Sequence, residues 1–301
     1  MYSIKIIIPY FGTFPPQFKF WWQSALNNSS ISFLIITDNK LQSERNIEVL
    51  HENFSELKNE VQNKFNFNIN LDSPYKLCDF KGAYGYIFEK YLKGFDFWGF
   101  GDLDLVYGDI RHFITDEILK KYDIISGWGH FTLYRNNNEC NFFFQRKEKG
   151  YLFYEDVFKK TENCVFDEFL HKGLSDRWQE LYPSRIYKCN CFDDIIIPRK
   201  ILNFVSFGKT DSSLIFCYAN KKLYRIFLER GKIIKEQSMY VHFQQRKFMR
   251  IQTYDTQNYL IIPNRFINYR AISRFKLVLW GRKRFLSYWL FRFKLKYRKL
   301  K

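Results

Sequence analysis

Short β-branched runs alternate with segments of helical spacing in the N-terminal part of the chain, and this alternation limits the fold more than any other feature. The run IKIIIPY ends just after Pro9, FKFWWQSALNN has helical spacing, and ISFLIITDN closes a second strand near Asp38. Strands separated by helices are typical of βαβ units, whose strands lie parallel. The sequence therefore predicts an α/β fold with a mostly parallel sheet flanked by helices.

The same alternation continues further along the chain. EVLHENFSELKNEVQNKF and AYGYIFEKYLKGF have helical spacing, whereas DFWGFGDLD and YDIISGWG are typical of a third and a fourth strand. Neither a GxGxxG nor a GxxxxGK[ST] segment occurs, so a dinucleotide fingerprint and a P-loop are not predicted. Open α/β sheets bind ligands at the carboxyl ends of their strands. The polar residues that follow the predicted strands are therefore the candidate site.

Asp102 and Asp104 follow the third predicted strand, within the stretch FWGFGDLDLVYGDI. Two residues that lie two positions apart in an extended segment point the same way, so their carboxylates would repel each other. Hard divalent cations such as Mg²⁺ and Mn²⁺ bind carboxylate oxygens, and they also bind the oxygens of a diphosphate leaving group. The pair therefore indicates a metal and diphosphate site, with two solvated turn residues as the alternative.

A late histidine provides a third candidate ligand. The strand-like segment MYVHF presents His242 near its end, and Lys247 follows in VHFQQRK. Imidazole is a suitable ligand for manganese beside two carboxylates. The predicted metal ligands are thus Asp102, Asp104 and His242, whereas a packed or surface histidine is the alternative for His242.

Taken together, these segments resemble the nucleotide-sugar-dependent glycosyltransferases of the GT-A fold. More narrowly, the chain resembles a poorly characterised group encoded in bacterial capsule and O-antigen clusters. The matching segments cover most of the chain but not the basic tail, and they are IIIPYFG, KLCDFKGAYG, FWGFGDLDLVYGDI, SGWGHFTLYRN, FDE and VHFQQRK. One departure is Gly82, which stands where the family pattern has proline but leaves Lys81 available. The resemblance implies a GT-A-type, Rossmann-like sheet, a UDP-sugar donor and a Mn²⁺ or Mg²⁺ ion.

The resemblance also implies a set of residues that bind the donor. They are Pro9, Tyr10, Phe11, Gly12, Asp38, Asp79, Lys81, Asp102, His130, Arg135 and Lys247. In the family the loop PYFG cradles the nucleobase, and stacking of Tyr10 or Phe11 on a base would contribute about 1–3 kcal/mol. Lys81 lies near a predicted helix N-terminus, where a diphosphate is favoured. A plain turn for PYFG, a helix cap for Asp38 and a solvated Lys81 are the alternatives.

Two further segments are candidates for acceptor binding and catalysis. GHFTLYRN contains His130 and Arg135, and Arg135 could pair with the diphosphate or with acceptor hydroxyls. FDE contains Asp167 and Glu168, either of which could bind a hydroxyl or take the proton from the attacking hydroxyl as general base. A structural hairpin and a helix cap, respectively, are the alternatives.

The positive charge of the chain is concentrated at its C-terminal end. The net charge of the 301 residues is +17, and residues 270–301 contain 12 Lys and Arg and no Asp or Glu, so residues 1–269 carry 17 − 12 = +5. We predict a GT-A catalytic domain over 1–269 and a basic, aromatic, amphipathic segment over 270–301. Such a segment suits an anionic membrane surface. Nucleic-acid binding is the less favoured alternative because no RNA-binding motif accompanies the segment, and a solvated tail is the other.

The chain shows no apolar run long enough for a membrane-spanning helix, and no signal peptide is expected from the segment MYSIKIIIPY. The six cysteines include no CxxC pair, so no zinc framework is predicted and the thiols are expected to be reduced. We therefore expect a cytoplasmic protein that is peripheral on the inner face of the plasma membrane.

The resulting expectation is an enzyme, a hexosyltransferase that uses a UDP-sugar and a lipid-linked or oligosaccharide acceptor of a surface polysaccharide such as capsule or lipopolysaccharide. Family analogy favours galactose as the sugar and retention of anomeric configuration. A metal-dependent phospho- or nucleotidyltransferase would also use paired aspartates and metal. A non-catalytic protein that binds membrane or nucleic acid through its basic tail is the third alternative.

Overall fold

The computed structural model describes residues 1–169, 171–196, 203–209, 212–244 and 249–281. The strands are β1 (Ile4–Pro9), β2 (Ile31–Thr37), β3 (Ile47–His51), β4 (Phe97–Gly101), β5 (Leu105–Tyr107), β6 (Ile124–Trp128), β7 (Phe131–Arg135), β8 (Ile186–Tyr187), β9 (Asp193–Asp194), β10 (Ser212–Ala219), β11 (Lys222–Glu229), β12 (Lys232–Ser238), β13 (Tyr240–His242), β14 (Arg250–Gln252), β15 (Tyr259–Ile262) and β16 (Arg265–Asn268). The helices are α1 (Phe18–Asn27), α2 (Phe54–Gln62), α3 (Tyr84–Ile87), α4 (Ile110–Phe113), α5 (Asp116–Lys121), α6 (Asn138–Asn141), α7 (Tyr154–Lys159), α8 (Leu174–Leu181) and α9 (Arg274–Gly281).

The chain divides into two compact units. Unit 1 comprises Met1–Thr13, Ser29–Asp102 and Ile114–Asn190. Unit 2 comprises Phe14–Asn28, Leu103–Phe113 and the described residues from Cys191 onward. Both units combine helices with mixed sheets, so the α/β class is confirmed.

Unit 1 is built on a seven-stranded sheet with the order β3-β2-β1-β4-β7-β6-β8. The pairs β1/β2, β2/β3, β1/β4 and β6/β8 are parallel, whereas β4/β7 and β6/β7 are antiparallel. The predicted mostly parallel sheet is therefore corrected to a mixed one. The reason is local: Gly129 and His130 alone separate β6 from β7, and so short a connection can only join antiparallel strands.

The core of unit 1 lies between this sheet and the helices that pack on it. Leu57 of α2, Phe80 of a 3-10 helix (Pro74–Ala83), Phe158 of α7 and Trp178 of α8 are buried in the same cluster as Leu34 of β2. Burial of each large apolar side chain contributes about 1.5–3 kcal/mol. Unit 1 thus has a hydrophobic core of its own.

The predicted helix over EVLHENFSELKNEVQNKF is wrong in its first part. Ile47–His51 form β3, which pairs with β2, and the helix α2 begins only at Phe54. Asn53 starts the helix with a capping box, because its side chain accepts the Glu56 amide while the Glu56 carboxylate accepts the Asn53 amide. Residues 47–51 form a strand because they pair with β2, although their local spacing also suits a helix.

Unit 2 contains a six-stranded sheet of order β12-β11-β10-β15-β16-β14 and a three-stranded sheet of order β5-β13-β9. The loops of the β10–β11 and β11–β12 hairpins each have two residues of positive φ, Asn220 with Lys221 and Arg230 with Gly231. This is the backbone of a type I′ turn, whose twist matches the flanking strands. Phe216, Tyr218 and Phe266 lie in the core that this larger sheet forms with α1 and the smaller sheet.

The first part of the predicted basic segment belongs to unit 2. Leu277 of α9 is fully buried against Ile215 and Leu260 of the six-stranded sheet. The opposite side chains, Phe275 and Leu279, are exposed. Residues 282–301 and Lys247 lie outside the described residues. Within the part of the chain that is described, no helix is both long enough and apolar enough to cross a bilayer.

Four cysteines, Cys78, Cys140, Cys164 and Cys217, are free thiols. Cys189 and Cys191 are disulfide-bonded. The expectation that all six thiols are reduced is therefore corrected for this pair.

Candidate functional site

The strand order of unit 1 indicates which edge of its sheet is the candidate ligand site. The chain builds outward from β1 to β2 and β3 on one side and to β4 on the other, so β1 and β4 flank a topological switch point. In open α/β sheets ligands bind at such a point, outside the carboxyl ends of the strands. Pro9 ends β1, and Asp38 and Asp102 directly follow β2 and β4. These predicted residues therefore lie at the expected edge.

The loop after β1, which is predicted to cradle a nucleobase, has open space beside its backbone. Gly12 has a φ of 105°, and a Cβ added there would meet no atom within 4 Å. Tyr10 is partly exposed, and its hydroxyl donates to the carbonyl oxygen of Thr13 at 2.9 Å. Phe11 is buried and packs edge-to-face on Phe54 with ring centroids 5.3 Å apart. Of the two aromatic side chains, Tyr10 is thus the one that could stack on a base.

Lys81 is the centre of a charged cluster in unit 1. Its Nζ lies 2.9 Å from Asp102 Oδ1 and 3.6 Å from Asp167 Oδ2, and it donates to the carbonyl oxygen of Gly129 at 2.6 Å. Burial is the largest single effect and lowers the pKa of Lys81, but the electrostatic effects of Asp102, Cys78 and Asp167 and the hydrogen bond to Asp102 together outweigh it and raise that pKa well above its usual range. Lys81 is therefore a buried, permanently positive group at the end of β4.

Asp167 and Glu168 occupy different environments. Asp167 is buried, and burial raises its pKa to about 7, although Lys81 acts in the opposite direction. Glu168 is exposed, and its side chain lies over Gly129, where an added Cβ would come within 2.5 Å of Glu168 Cγ. Asp167 can therefore exchange a proton near neutral pH, while Glu168 is accessible to a ligand.

Asp104 directly precedes β5 and lies beside His242 of β13 in unit 2. Strand β13 pairs with β5 and β9 so that His242 is opposite both Leu105 and Asp194. The ring Nε2 of His242 is 3.4 Å from Asp104 Oδ1, and Nδ1 is 2.8 Å from Asp194 Oδ1. Gln244 Nε2 donates to both oxygens of Asp194, at 3.0 and 2.9 Å. The sheet register thus places an imidazole between two carboxylates.

The two carboxylates fix the charge of this imidazole. Burial lowers the pKa of His242, but the charge of Asp104 and hydrogen bonds to Asp104 and Asp194 overcome that effect and raise the pKa to about 10. Asp104 is therefore neutralised by an imidazolium, just as Asp102 is neutralised by Lys81. Asp104 and His242 both belong to side-chain groups that could hold a metal ion.

Asp194 and Gln244 were not predicted from the sequence. The stretch CFDD shows a second pair of acidic residues after an aromatic one, and this is the signal that could have identified Asp194. Only the pairing of β9 with β13 reveals that this carboxylate contacts His242.

Asp79 is occupied by hydrogen bonds within the protein and is not open to a ligand. Its carboxylate is fully buried and accepts from Lys76 Nζ at 2.7 Å and from the amides of Cys164 and Phe166 at 2.8 and 3.1 Å. We therefore do not keep Asp79 among the groups that touch the donor.

Arg135 lies at the opposite edge of the sheet from Asp102. Because β7 is antiparallel to β4, Arg135 pairs with Phe97 at the amino end of β4. Its guanidinium binds Asp123 Oδ1 at 2.6 Å and the carbonyl oxygen of Leu119 at 2.6 Å. Its predicted contact with a diphosphate does not fit this position. His130, by contrast, is at the site edge, where its carbonyl oxygen accepts the Asp102 amide at 3.1 Å.

Comparison with known proteins gives a family without an assigned activity. The model described as "Family of unknown function (DUF6625)" matches residues 6–270. No curated protein matches the chain. The matched region begins within β1 and extends beyond β13, so it includes every described residue of the candidate site. The chain therefore belongs to the DUF6625 family.

Proposed function

We propose that this chain is a metal-dependent glycosyltransferase of the GT-A type, which transfers a hexose from a UDP-sugar to a hydroxyl of a bacterial surface-polysaccharide acceptor. The observation that carries the proposal is the cluster of Lys81, Asp102 and Asp167 at the carboxyl end of β4, beside the switch point of the sheet. A buried cation beside acidic groups at that edge is suited to a diphosphate and to a proton transfer.

The donor would lie along the carboxyl ends of β1, β2 and β4. Tyr10 and the open backbone at Gly12 suit a nucleobase, and the exposed Asp38 suits a base or ribose hydrogen bond. Lys81 would pair with the diphosphate. Lys247, for which the proposal rests on the sequence alone, would add a second positive charge, and His130 would line the same edge.

The side chains proposed as metal ligands suit a hard divalent ion. Asp104 contributes a carboxylate and His242 an imidazole, and Asp102 is separated from Asp104 by a single residue of the chain. Oxygen ligands with one imidazole suit Mn²⁺, or Mg²⁺ with more water. When bound, such an ion stabilises the charge that develops on a diphosphate leaving group. Asp194 would hold the His242 ring with Nε2 toward the ion, as partners of metal-binding histidines do.

The acceptor would bind near Asp167 and Glu168, which we call the acidic pair. Glu168 is exposed beside Gly129, so we propose that it binds or deprotonates the attacking hydroxyl. Asp167, buried against Lys81, would hold that lysine in position. The choice of galactose and of a retaining outcome rests on the family resemblance alone.

We also propose that the C-terminal segment binds an anionic membrane surface, where a lipid-linked acceptor would be found. Phe275 and Leu279 are exposed on α9, and Arg274 and Lys276 lie on the same helix. Apolar and basic groups together suit the headgroup region of a bilayer.

The test is to incubate the purified protein with UDP-hexoses, Mn²⁺ and a lipid-linked or oligosaccharide acceptor and to measure free UDP and the glycosylated product. Asp104→Asn and Lys81→Met should each reduce turnover by about 100-fold or more, because charge compensation at the leaving group is lost. Asp72→Asn, an exposed acid paired with Lys58, is the matched control. Pyrophosphate in place of UDP would support a nucleotidyltransferase, and unchanged turnover in Asp104→Asn would refute the metal assignment.

A further inference from the structure

The loop that carries Asp167 and Glu168 is held in a backbone conformation that its sequence disfavours. Val165 has a φ of 55°, in the left-handed region. A β-branched side chain rarely adopts this conformation, and such outliers persist only where surrounding contacts impose them. Val165 stands two residues before Asp167, so the conformation at 165 sets the path of the chain into the acidic pair.

Three side-chain acceptors hold the amides around Val165. Asp79 Oδ2 accepts the amide of Cys164 at 2.8 Å, and Asp79 Oδ1 accepts the amide of Phe166 at 3.1 Å. Asn163 Oδ1 accepts the amide of Val165 itself at 2.8 Å. One buried carboxylate therefore binds the residues on both sides of the strained position.

Lys76 fixes that carboxylate. Its Nζ is 2.7 Å from Asp79 Oδ2 and also donates to the carbonyl oxygens of Val157 at 3.1 Å and Glu162 at 2.5 Å. The Lys76 and Asp79 side chains are almost completely buried. Charge-assisted hydrogen bonds in such a setting are strong, and losing one partner leaves the other charge uncompensated.

The far side of the loop is equally constrained. The carbonyl oxygen of Phe166 accepts the Leu174 amide at 2.8 Å, and a Cβ at Gly173 would lie 2.3 Å from that oxygen. Ser175 Oγ donates to the carbonyl oxygen of Asp167 at 2.8 Å. The loop is thus tied on one side to the 3-10 helix that carries Asp79 and on the other to the start of α8.

We infer that Lys76 and Asp79 form a latch that forces Val165 into its strained conformation and so places Asp167 against Lys81 and Glu168 at the site edge. Lys76, Asp79 and Lys81 lie on the same 3-10 helix, so one element holds the loop backbone and contacts its carboxylate. Asp79 and Lys76 are therefore positioning residues. The effect of the latch on turnover rests on the proposed function, whereas its effect on the loop does not.

The experiment compares Asp79→Asn, Val165→Gly and the double variant with the wild type. Asn cannot accept both amides, so in Asp79→Asn the strain at Val165 relaxes and displaces the acidic pair. Glycine adopts positive φ without strain, so the double variant has less reason to leave the native conformation. We expect Asp79→Asn to lower kcat at least tenfold with less than a threefold change in KM for the UDP-sugar, and the double variant to recover at least fivefold in kcat. Relief of the strain at Val165 also stabilises the fold, so kcat is expressed per folded molecule. A residue that only stabilised the fold would then show neither the loss of kcat in Asp79→Asn nor the rescue.

Amide hydrogen exchange of the peptide that covers residues 163–168 is measured in parallel and needs no activity. Asp79→Asn should raise exchange there at least tenfold, with no change in Asp72→Asn. A wild-type protein that transfers no hexose would overturn the proposed function. The latch would then be tested by amide hydrogen exchange alone. Native-like exchange in a folded Asp79→Asn, or raised exchange with unchanged kcat, would overturn the latch.

Discussion

At the scale of single residues, two aspartates that stand one residue apart have separate positive partners. Asp102 pairs with Lys81 in unit 1, and Asp104 pairs with His242 in unit 2. The repulsion between the carboxylates is thus offset by protein charges before any ion binds. A divalent ion would take over the role of the His242 proton, because an imidazolium cannot be a metal ligand.

Asp167 should make stability depend on pH. Its folded-state pKa of about 7 lies above its ordinary value of 3.8, so the folded state retains a proton that the unfolded state loses. Its contribution is therefore most favourable at acidic pH and falls as pH rises from about 4 to 7, by up to about 1.4 kcal/mol per pH unit. Asp167→Asn removes this dependence.

Chemical denaturation between pH 4 and 8 measures the effect. The free energy of unfolding of Asp167→Asn, relative to the wild type, should increase with pH across that window and then level off. A difference between the two proteins that is constant with pH would show that Asp167 titrates normally.

At the scale of elements, the sheet of unit 1 is held by close backbone approach at β4. Gly99 lies in the middle of β4, where an added Cβ would be 2.3 Å from the carbonyl oxygen of Thr132 and 2.6 Å from Leu133 Cδ2 in β7. A backbone oxygen cannot move aside as the end of a flexible side chain can. The antiparallel pairing of β7 with β4 therefore depends on glycine at this position.

Gly99→Ala should destabilise the protein by about 1–3 kcal/mol or more, because it overpacks a fully buried strand pair. Thermal unfolding is the measurement, with the exposed Ser30→Ala, expected to change stability by less than about 0.5 kcal/mol, as control. An unfolding temperature like that of the wild type would show that β7 lies further from β4 than described.

The local pattern was sufficient to predict some elements and not others. The strands β1, β2, β4 and β6 were predicted from their short apolar runs. Because ligands bind at the carboxyl ends of parallel strands, Asp38 and Asp102 were predicted to lie at one edge of the sheet. β3 was missed because its five residues form a strand only through pairing with β2. Asp194 and the Asp79 latch were missed because both depend on contacts over 48 and 85 residues of the chain, which local spacing cannot reveal.

At the scale of the whole molecule, the chain consists of two units that each have their own sheets and core. Unit 1 carries Lys81, Asp102 and the acidic pair, and unit 2 carries Asp104 and His242. The chain passes between the units several times, and one of these points lies between Asp102 and Leu103.

Removal of residues 282–301 should weaken binding to anionic vesicles and leave UDP binding unchanged. Those residues contribute 9 of the 12 Lys and Arg in the segment 270–301, and each basic residue near an anionic surface contributes about 1 kcal/mol. Sedimentation with phosphatidylglycerol-containing and with purely zwitterionic vesicles measures this. Equal binding of the full chain to both vesicle types would contradict the membrane proposal.

The most direct test of the metal proposal is calorimetric titration of Mn²⁺ into the protein with UDP present, at pH 6 and pH 8 and in two buffers of different ionisation enthalpy. The account predicts tighter binding at pH 8 and release of about one proton per ion, since His242, with a pKa raised to about 10, must lose its proton to become a ligand. Binding should weaken at least tenfold in Asp104→Asn and in His242→Gln and stay unchanged in Asp72→Asn. Binding that is independent of pH and unaffected by Asp104→Asn and His242→Gln would contradict the account.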